Sequence, residues 1–278
     1  FTAAAKTPPA TWEDLRTTAF DLTIKDDQGK IQTSGVALGT TDNIDHWPDI
    51  LALMLLQNGA DPGLPTTKLA EDALTFYTIF NLQDKVWDNT LPSSTQAFAL
   101  GKVAMYFGPS WEAHTLKQLN PQLKFATVPV PQLPNTRITW ASYWVEGVSQ
   151  KSKAKDEAVK FLEFLSQKDN LVKLYTEASK VRNFGEIYPR KDLAETIKSD
   201  PVVGSFITQA DTAQSWYLSS LTHDNGINDR IIKYYQDAVN AVLQGTTVTQ
   251  ALLTASQGIN QVLSQYGLAK AAPASPAP

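Results

Sequence analysis

The apolar positions of this chain fall mostly at the three-to-four-residue spacing of amphipathic helices, with short extended runs between them. Pro8-Pro9-Ala10-Thr11-Trp12-Glu13-Asp14-Leu15 reads as a stiff approach to a helix, with Thr11 as N-cap and Asp14 answering it as in a capping box. Asp26-Asp27-Gln28-Gly29-Lys30 is a turn signal, and Gly35-Val36-Ala37-Leu38-Gly39 beyond it predicts a short buried strand. A helix is expected from Trp47, with Pro48 in its first turn, to the capping pair Asn58-Gly59. Residues 67–82 carry Leu69, Ala73, Phe76, Tyr77 and Phe80 at helical spacing.

Residues 98–107 end in a predicted strand, which Gly108-Pro109-Ser110 breaks before a further helix starts at Trp111. The prolines of Val128-Pro129-Val130-Pro131-Gln132-Leu133-Pro134 exclude a helix or a central strand and suit an extended crossover between lobes. Residues 156–166 predict an amphipathic helix with Ala158, Phe161, Leu162 and Leu165 on one side. The last third reads as helical. Residues 230–244 align Ile231, Tyr234, Tyr235, Ala238 and Val242, Gly245 stops that helix, and Thr247 with Gln250 opens another through Gln265. Gly267 closes the fold, and residues 269–278 form a Pro/Ala tail with nothing to bury, expected to be disordered. No internal repeat is visible.

A length of 278 residues is about two domains' worth, and 42% apolar with 19% charged residues is the balance of a folded protein. Lys+Arg 24 against Asp+Glu 28 leaves a net charge of -4, which recruits neither nucleic acid nor an anionic membrane surface. The best uninterrupted apolar run, residues 50–56, is a core helix and far short of the roughly 20 residues of a membrane span. The absence of cysteine excludes disulfides, thiolate catalysis and Cys-based metal sites together. The chain opens at Phe1 without Met or a signal peptide, so a targeting segment is expected to have been removed or never to have been part of it.

Catalytic patterns are missing. His46, His114 and His223 are far apart with no ligand spacing, so solvated or hydrogen-bonded roles are expected and no metal or cofactor is called for. Gly101-Lys102 lacks the upstream glycine and following hydroxyl of a phosphate-binding loop, and no Gly-x-Ser-x-Gly elbow occurs. Asp42, Asn43 and Asp45 lack the glycine and terminal Glu of a calcium loop and suit a turn or cap, and residues 223–229 read as a polar loop. Glu112 and Glu146 lie beside aromatic stretches as would the carboxylates of a glycosidase, but each is expected to be a surface residue. What stands out instead is aromatic: 7 Trp, 9 Tyr and 11 Phe. Trp111 follows a predicted strand end, Trp140, Tyr143 and Trp144 cluster after the crossover, and Trp216 adjoins Tyr217. Core packing competes with ligand stacking at each of them.

The 8–15 segment, the run Phe98-Ala99-Leu100-Gly101-Lys102-Val103-Ala104-Met105-Tyr106-Phe107-Gly108-Pro109-Ser110-Trp111, the Ala158 to Ser166 helix and Ala213-Gln214-Ser215-Trp216-Tyr217 together resemble the extracellular solute-binding proteins of ABC importers. The branch is that of the maltose-binding proteins, and the resemblance runs to about Gly267. It implies an α/β, helix-rich periplasmic-binding-protein type II fold, present mainly as the carboxyl-terminal lobe. In that family the Pro-Pro-x-Thr-Trp segment lies well inside the protein, so the resemblance implies that most of the amino-terminal lobe is absent, with Phe1 the remnant of a helix. Family topology would assign 1–130 and 200–268 to the carboxyl-terminal lobe and 131–199 to the other lobe, leaving the apolar face of the 156–166 helix uncovered.

The function implied is non-enzymatic: capture of a sugar, an oligosaccharide above all, in an interlobe cleft for delivery to the membrane subunits of an ABC permease. The protein would be a monomer outside the cytoplasm, in the periplasm or at the cell surface, where the missing amino terminus would carry any lipid anchor. Trp111 and Trp216 match the family's stacking tryptophans, the inserted Ser110 departs from its pattern, and Tyr217, Tyr143 and Trp144 are further ligand-binding candidates. Both tryptophans are expected on the larger lobe. A carbohydrate-active enzyme, or the same fold holding a non-sugar solute such as a polyamine or peptide, remain the alternatives.

Overall fold

The computed structural model describes residue 4 and residues 6–269; the expected remnant helix at Phe1 and the tail from 270 onward lie outside them. The chain contains α1 (Trp12–Leu22), β1 (Ile24–Lys25), β2 (Ile31–Val36), α2 (Trp47–Gln57), α3 (Lys68–Leu82), α4 (Ser94–Ala99), β3 (Val103–Met105), α5 (Glu112–Leu119), β4 (Thr139–Trp140), α6 (Lys155–Leu165), α7 (Lys168–Ala178), α8 (Ala194–Ile197), α9 (Gly204–Ile207), β5 (Ala213–Gln214), α10 (Ile227–Leu243) and α11 (Val248–Gln265). It divides into two compact units. Of the described residues, unit 1 holds those up to Gly108, Val130–Ala141 and those from Thr212; unit 2 holds Pro109–Pro129 and Ser142–Asp211.

Unit 1 is organised around α2. Nine of its eleven residues are buried, including Leu51, Ala52 and Leu55 at 0% exposure, so other elements must cover it on every side. The anticipated local signals are in place. The Thr11 hydroxyl accepts the Asp14 amide at 3.1 Å, and it donates to the Asp14 carboxylate at 2.7 Å, a tighter local variant of the expected capping box. Asn58 caps α2, and Gly59 follows at φ 76. The Thr247 hydroxyl accepts the Gln250 amide at 3.3 Å and opens α11.

The first sheet runs β1-β2-β3, with β1/β2 antiparallel across the 26–30 turn and β2/β3 parallel. The expected buried strand at 35–39 begins earlier, at Ile31, and only Gly35 and Val36 of that stretch lie in it. Gly35 is required there: a Cβ would stand 1.9 Å from the Ala19 carbonyl oxygen of α1. A bidentate Arg16–Asp84 pair at 2.7 and 2.8 Å ties α1 to the residues after α3. The predicted face of α3 is correct at Ala73, Tyr77 and Phe80, whereas Leu69 is 44% exposed. α10 and α11 pack on each other and on α3.

Unit 2 has a small core of its own. Ala113, Phe184, Ile197 and Val203 are buried together, with Phe125, Tyr175 and Tyr188 packed around them. Segment 109–129 belongs with this core because Asn183 Nδ2 donates to the Ala113 carbonyl at 3.1 Å and Thr127 Oγ1 to that of Val202 at 2.6 Å. The amphipathic pattern of 156–166 is realised in α6, yet neither α6 nor α7 buries a single residue. Phe161 and Phe164 are 59% and 52% exposed, and Val145 and Val181 also face solvent.

Helices that bury nothing have little to hold them closed, so limited proteolysis is expected to cut first within 142–211 while the α2–α3–α10–α11 region resists. Mass analysis of early fragments checks this; equal resistance across 142–211 would contradict it.

Candidate functional site

Unit 1 gathers aromatic side chains where three separate stretches of chain meet. Thr139 and Trp140 of β4 pair in parallel with Ala213 and Gln214 of β5. The ladder continues as the Ala141 amide donates to the Gln214 carbonyl at 2.9 Å, and Ser215 Oγ donates to the Ala141 carbonyl at 2.5 Å. Directly beyond this two-stranded sheet stand Trp216 and Tyr217, both half-buried, with ring centroids 5.5 Å apart and planes at 63°. Gly63 lies against the Trp216 ring: a Cβ there would come 3.4 Å from Trp216 Cζ2. Both rings rest against the main core without being sealed into it.

Polar anchors hold the loop that carries them. The Leu218 amide donates to the Trp216 carbonyl at 2.8 Å, and Asn228 of α10 accepts the Ser219 amide at 2.9 Å while donating to its carbonyl at 3.0 Å. From the first turn of α2, Asp49 Oδ1 accepts the Trp140 indole N–H at 2.7 Å and Oδ2 the Ser220 amide at 3.1 Å. His46 Nδ1 lies 2.7 Å from Ser220 Oγ. Trp140 had stood out only as a neighbour of Tyr143 and Trp144, and Asp49 not at all. The available signal was that Asp49 is the single charged residue of a helix that is apolar from there to its last residue, Gln57.

The remaining candidates lie in unit 2. Trp111 is half-buried at the N-cap of α5, its carbonyl accepting the His114 amide at 2.9 Å. Tyr143 and Trp144 sit on irregular backbone at 69% and 86% exposure. The structure thus brings Trp216 and Tyr217 together, and places Trp111, Tyr143 and Trp144 in a different unit from them. Glu146 is exposed as expected, but Glu112 is not a surface carboxylate: it is 8% exposed in the first turn of α5, where the helix N-terminus favours an acidic group. His114 is half-buried. Its ring centroid lies 4.2 Å from that of Phe184 with the planes tilted at 32°, and its Nδ1 is buried without a hydrogen-bond partner among the described residues. Among the described residues no group of three or more His, Asp and Glu could hold a metal ion, and no helix is long and apolar enough to cross a membrane.

A model of the bacterial extracellular solute-binding proteins matches residues 2–204. The chain belongs to this family. A search of the curated proteins finds no match. Among solved structures, an ABC transporter solute-binding protein from Thermotoga lettingae bound with alpha-D-tagatose is similar at TM-score 0.66 and 20% identity, over 95% of this chain and 68% of that one. The Thermus thermophilus maltotriose-binding protein with maltotriose gives 0.63 and 19%, over 94% and 68%. The sugar-binding protein MalE of Xanthomonas citri gives 0.69 and 16%, over 96% and 67%. The chain therefore spans about two thirds of the length of these solute-binding proteins, and its helix-rich α/β fold is that of the type II periplasmic binding proteins.

Burial lowers the His114 pKa from the ordinary 6.5, Arg182 lowers it further, and Glu186 opposes both. The unfolded chain therefore takes up this proton first. The stability that neutral His114 contributes is full above 6.5 and is lost as pH falls from there through the folded value. His114→Phe is expected to remove this part of the acid sensitivity, read as the difference in Tm between variant and wild type from pH 7.5 to 5. Identical pH profiles would exclude it.

Proposed function

We propose that this chain is part of the substrate-binding component of an ABC importer, located outside the cytoplasm, that captures a sugar by aromatic stacking and presents it to a membrane permease without chemical turnover. The observation that carries this reading is the family match over residues 2–204. Tagatose and maltotriose in the neighbouring proteins favour a sugar as the solute, with an oligosaccharide the finer expectation. The aromatic pair fits such a ligand: the C–H faces of a pyranose lie well on indole and phenol rings, and neighbouring polar groups hold its hydroxyls. Trp216 and Tyr217 form the stacking face of unit 1. Trp111 is the corresponding candidate of unit 2, with Tyr143 and Trp144 as further contacts. The membrane permease is the remaining partner, and the protein acts as a monomer.

Maltotriose is a suitable probe, titrated against intrinsic tryptophan fluorescence. Trp216→Ala and Trp111→Ala are each expected to weaken binding by about 1–3 kcal/mol, roughly ten- to a hundredfold, as for an aromatic anchor. Trp87 provides the contrast. It is fully buried, with its indole N–H on Asn43 Oδ1 at 2.9 Å, and its truncation should cost ~3–5 kcal/mol of stability. If Trp216→Ala lowered Tm as Trp87→Ala does while affinity stayed intact, Trp216 would be a packing residue. The absence of turnover has its own check: incubation with maltotriose should leave it uncleaved in wild type and in Glu112→Gln alike, and products lost in that variant would make the protein a hydrolase.

A further inference from the structure

We propose that Asp49 is a positioning residue for the Trp216–Tyr217 face, acting through its two carboxylate oxygens rather than by touching the solute; the inference rests on the sugar-binding reading above. Asp49 is the single charged residue of α2, and its side chain is only 13% exposed. A carboxylate in so dry a place has to be answered by donors. The two that answer it come from distant stretches of chain. Oδ1 takes the Trp140 indole N–H at 2.7 Å, and Oδ2 takes the Ser220 amide at 3.1 Å. His46, one turn earlier, adds a contact to the same serine through Nδ1 and Oγ at 2.7 Å.

The consequence is a bracket around the aromatic pair. On one side Trp140 is the last residue of β4, whose partner β5 leads directly into Ser215 and Trp216. On the other side Ser220 lies three residues beyond Tyr217. One carboxylate on the most buried helix of the unit therefore ties both flanks of the loop, Ser220 directly and Trp216 through the β4–β5 pairing, on either side of a Leu218 that is sealed in the core. Asn228 and Ser215 hold the loop at intermediate points, but neither connects its two ends. Hydrogen bonds to a charged group are the strong ones, so this bracket narrows the positions the two rings can take before any ligand arrives.

Asp49→Asn tests the assignment, because it keeps the volume and one acceptor but turns an NH2 group toward one of the two donors. Trp140→Phe serves as the second variant, freeing Oδ1 while leaving Ser220 on Oδ2, and it decides the matter should Asp49→Asn fail to fold. Hydrogen exchange on the full 278-residue chain should show amides 216–219 exchanging at least tenfold faster in Asp49→Asn, and less so in Trp140→Phe, with the α10 and α11 amides unchanged. Maltotriose affinity should fall about tenfold in parallel. Two results would overturn the proposal: exchange at 216–219 that stays at wild-type rates or rises only together with the helices, and a loosened loop with undiminished affinity. A wild-type chain that gives no maltotriose signal removes the sugar reading alone, and the exchange comparison still decides whether Asp49 holds the aromatic pair.

Discussion

A helix that is apolar all round must be covered all round, and in unit 1 that demand falls on α2. Its two ends carry polar side chains in places with little water. At the carboxyl end Gln57 accepts the Trp12 indole N–H at 2.6 Å and donates to the Pro131 and Ile138 carbonyls at 3.0 and 2.8 Å. At the amino end Asp49 receives Trp140 and Ser220. Leaving any one of these groups unmatched in a buried setting costs about 1–3 kcal/mol, comparable with a large part of a domain's net stability. The covering segments are therefore held in register along the helix as well as pressed against it.

Segment 130–141 shows what this does for the architecture. Its prolines remove donors and prevent helix formation, so it stays extended, with the Gln132 amide on the Ala10 carbonyl at 3.0 Å. Gln57 takes hold of it at Pro131 and Ile138, and Asp49 takes hold at Trp140. Stretched between the ends of α2, it offers its last residues as the edge on which β5 pairs. The loop with Trp216 and Tyr217 thus inherits its place from a helix much earlier in the chain, through an extended strap and a two-residue strand.

Much of this scaffold was legible from local chemistry. Thr11, Asn58, Gly245 and Thr247 mark helix ends through interactions within a few residues of themselves, which is why a single sequence exposes them. Periodicity also gave the burial stripe of α10 at Ile231, Tyr235, Ala238 and Val242. The same signal gave the apolar face of α6 but not its exposure, because period reports which residues share a face and says nothing about whether another element covers it. The setting of Glu112 and His114 escaped local patterns for a related reason: the segment that carries them packs through Ala113 and His114 on Asn183 and Phe184, some seventy residues on. The family match bears out the resemblance read from the motifs, whereas Asp49 went unnoticed because its partners exist only once three stretches of chain have met.

Four of the five aromatic candidates fall into two physical classes, and the difference bears on what each could contribute under the proposed function. Trp216 and Tyr217 are half-buried, touch one another and sit on a loop pinned by side chains from α2 and α10, so they lose little freedom when a ligand covers them. Tyr143 and Trp144 project from irregular backbone into solvent and offer more open surface. Ordering such a side chain costs roughly 0.5–1.5 kcal/mol, which offsets much of what a stacking contact returns. Area alone would rank the exposed pair first. On the proposed sugar-binding reading, counting the cost of ordering reverses that rank and favours the pinned pair as a stacking face.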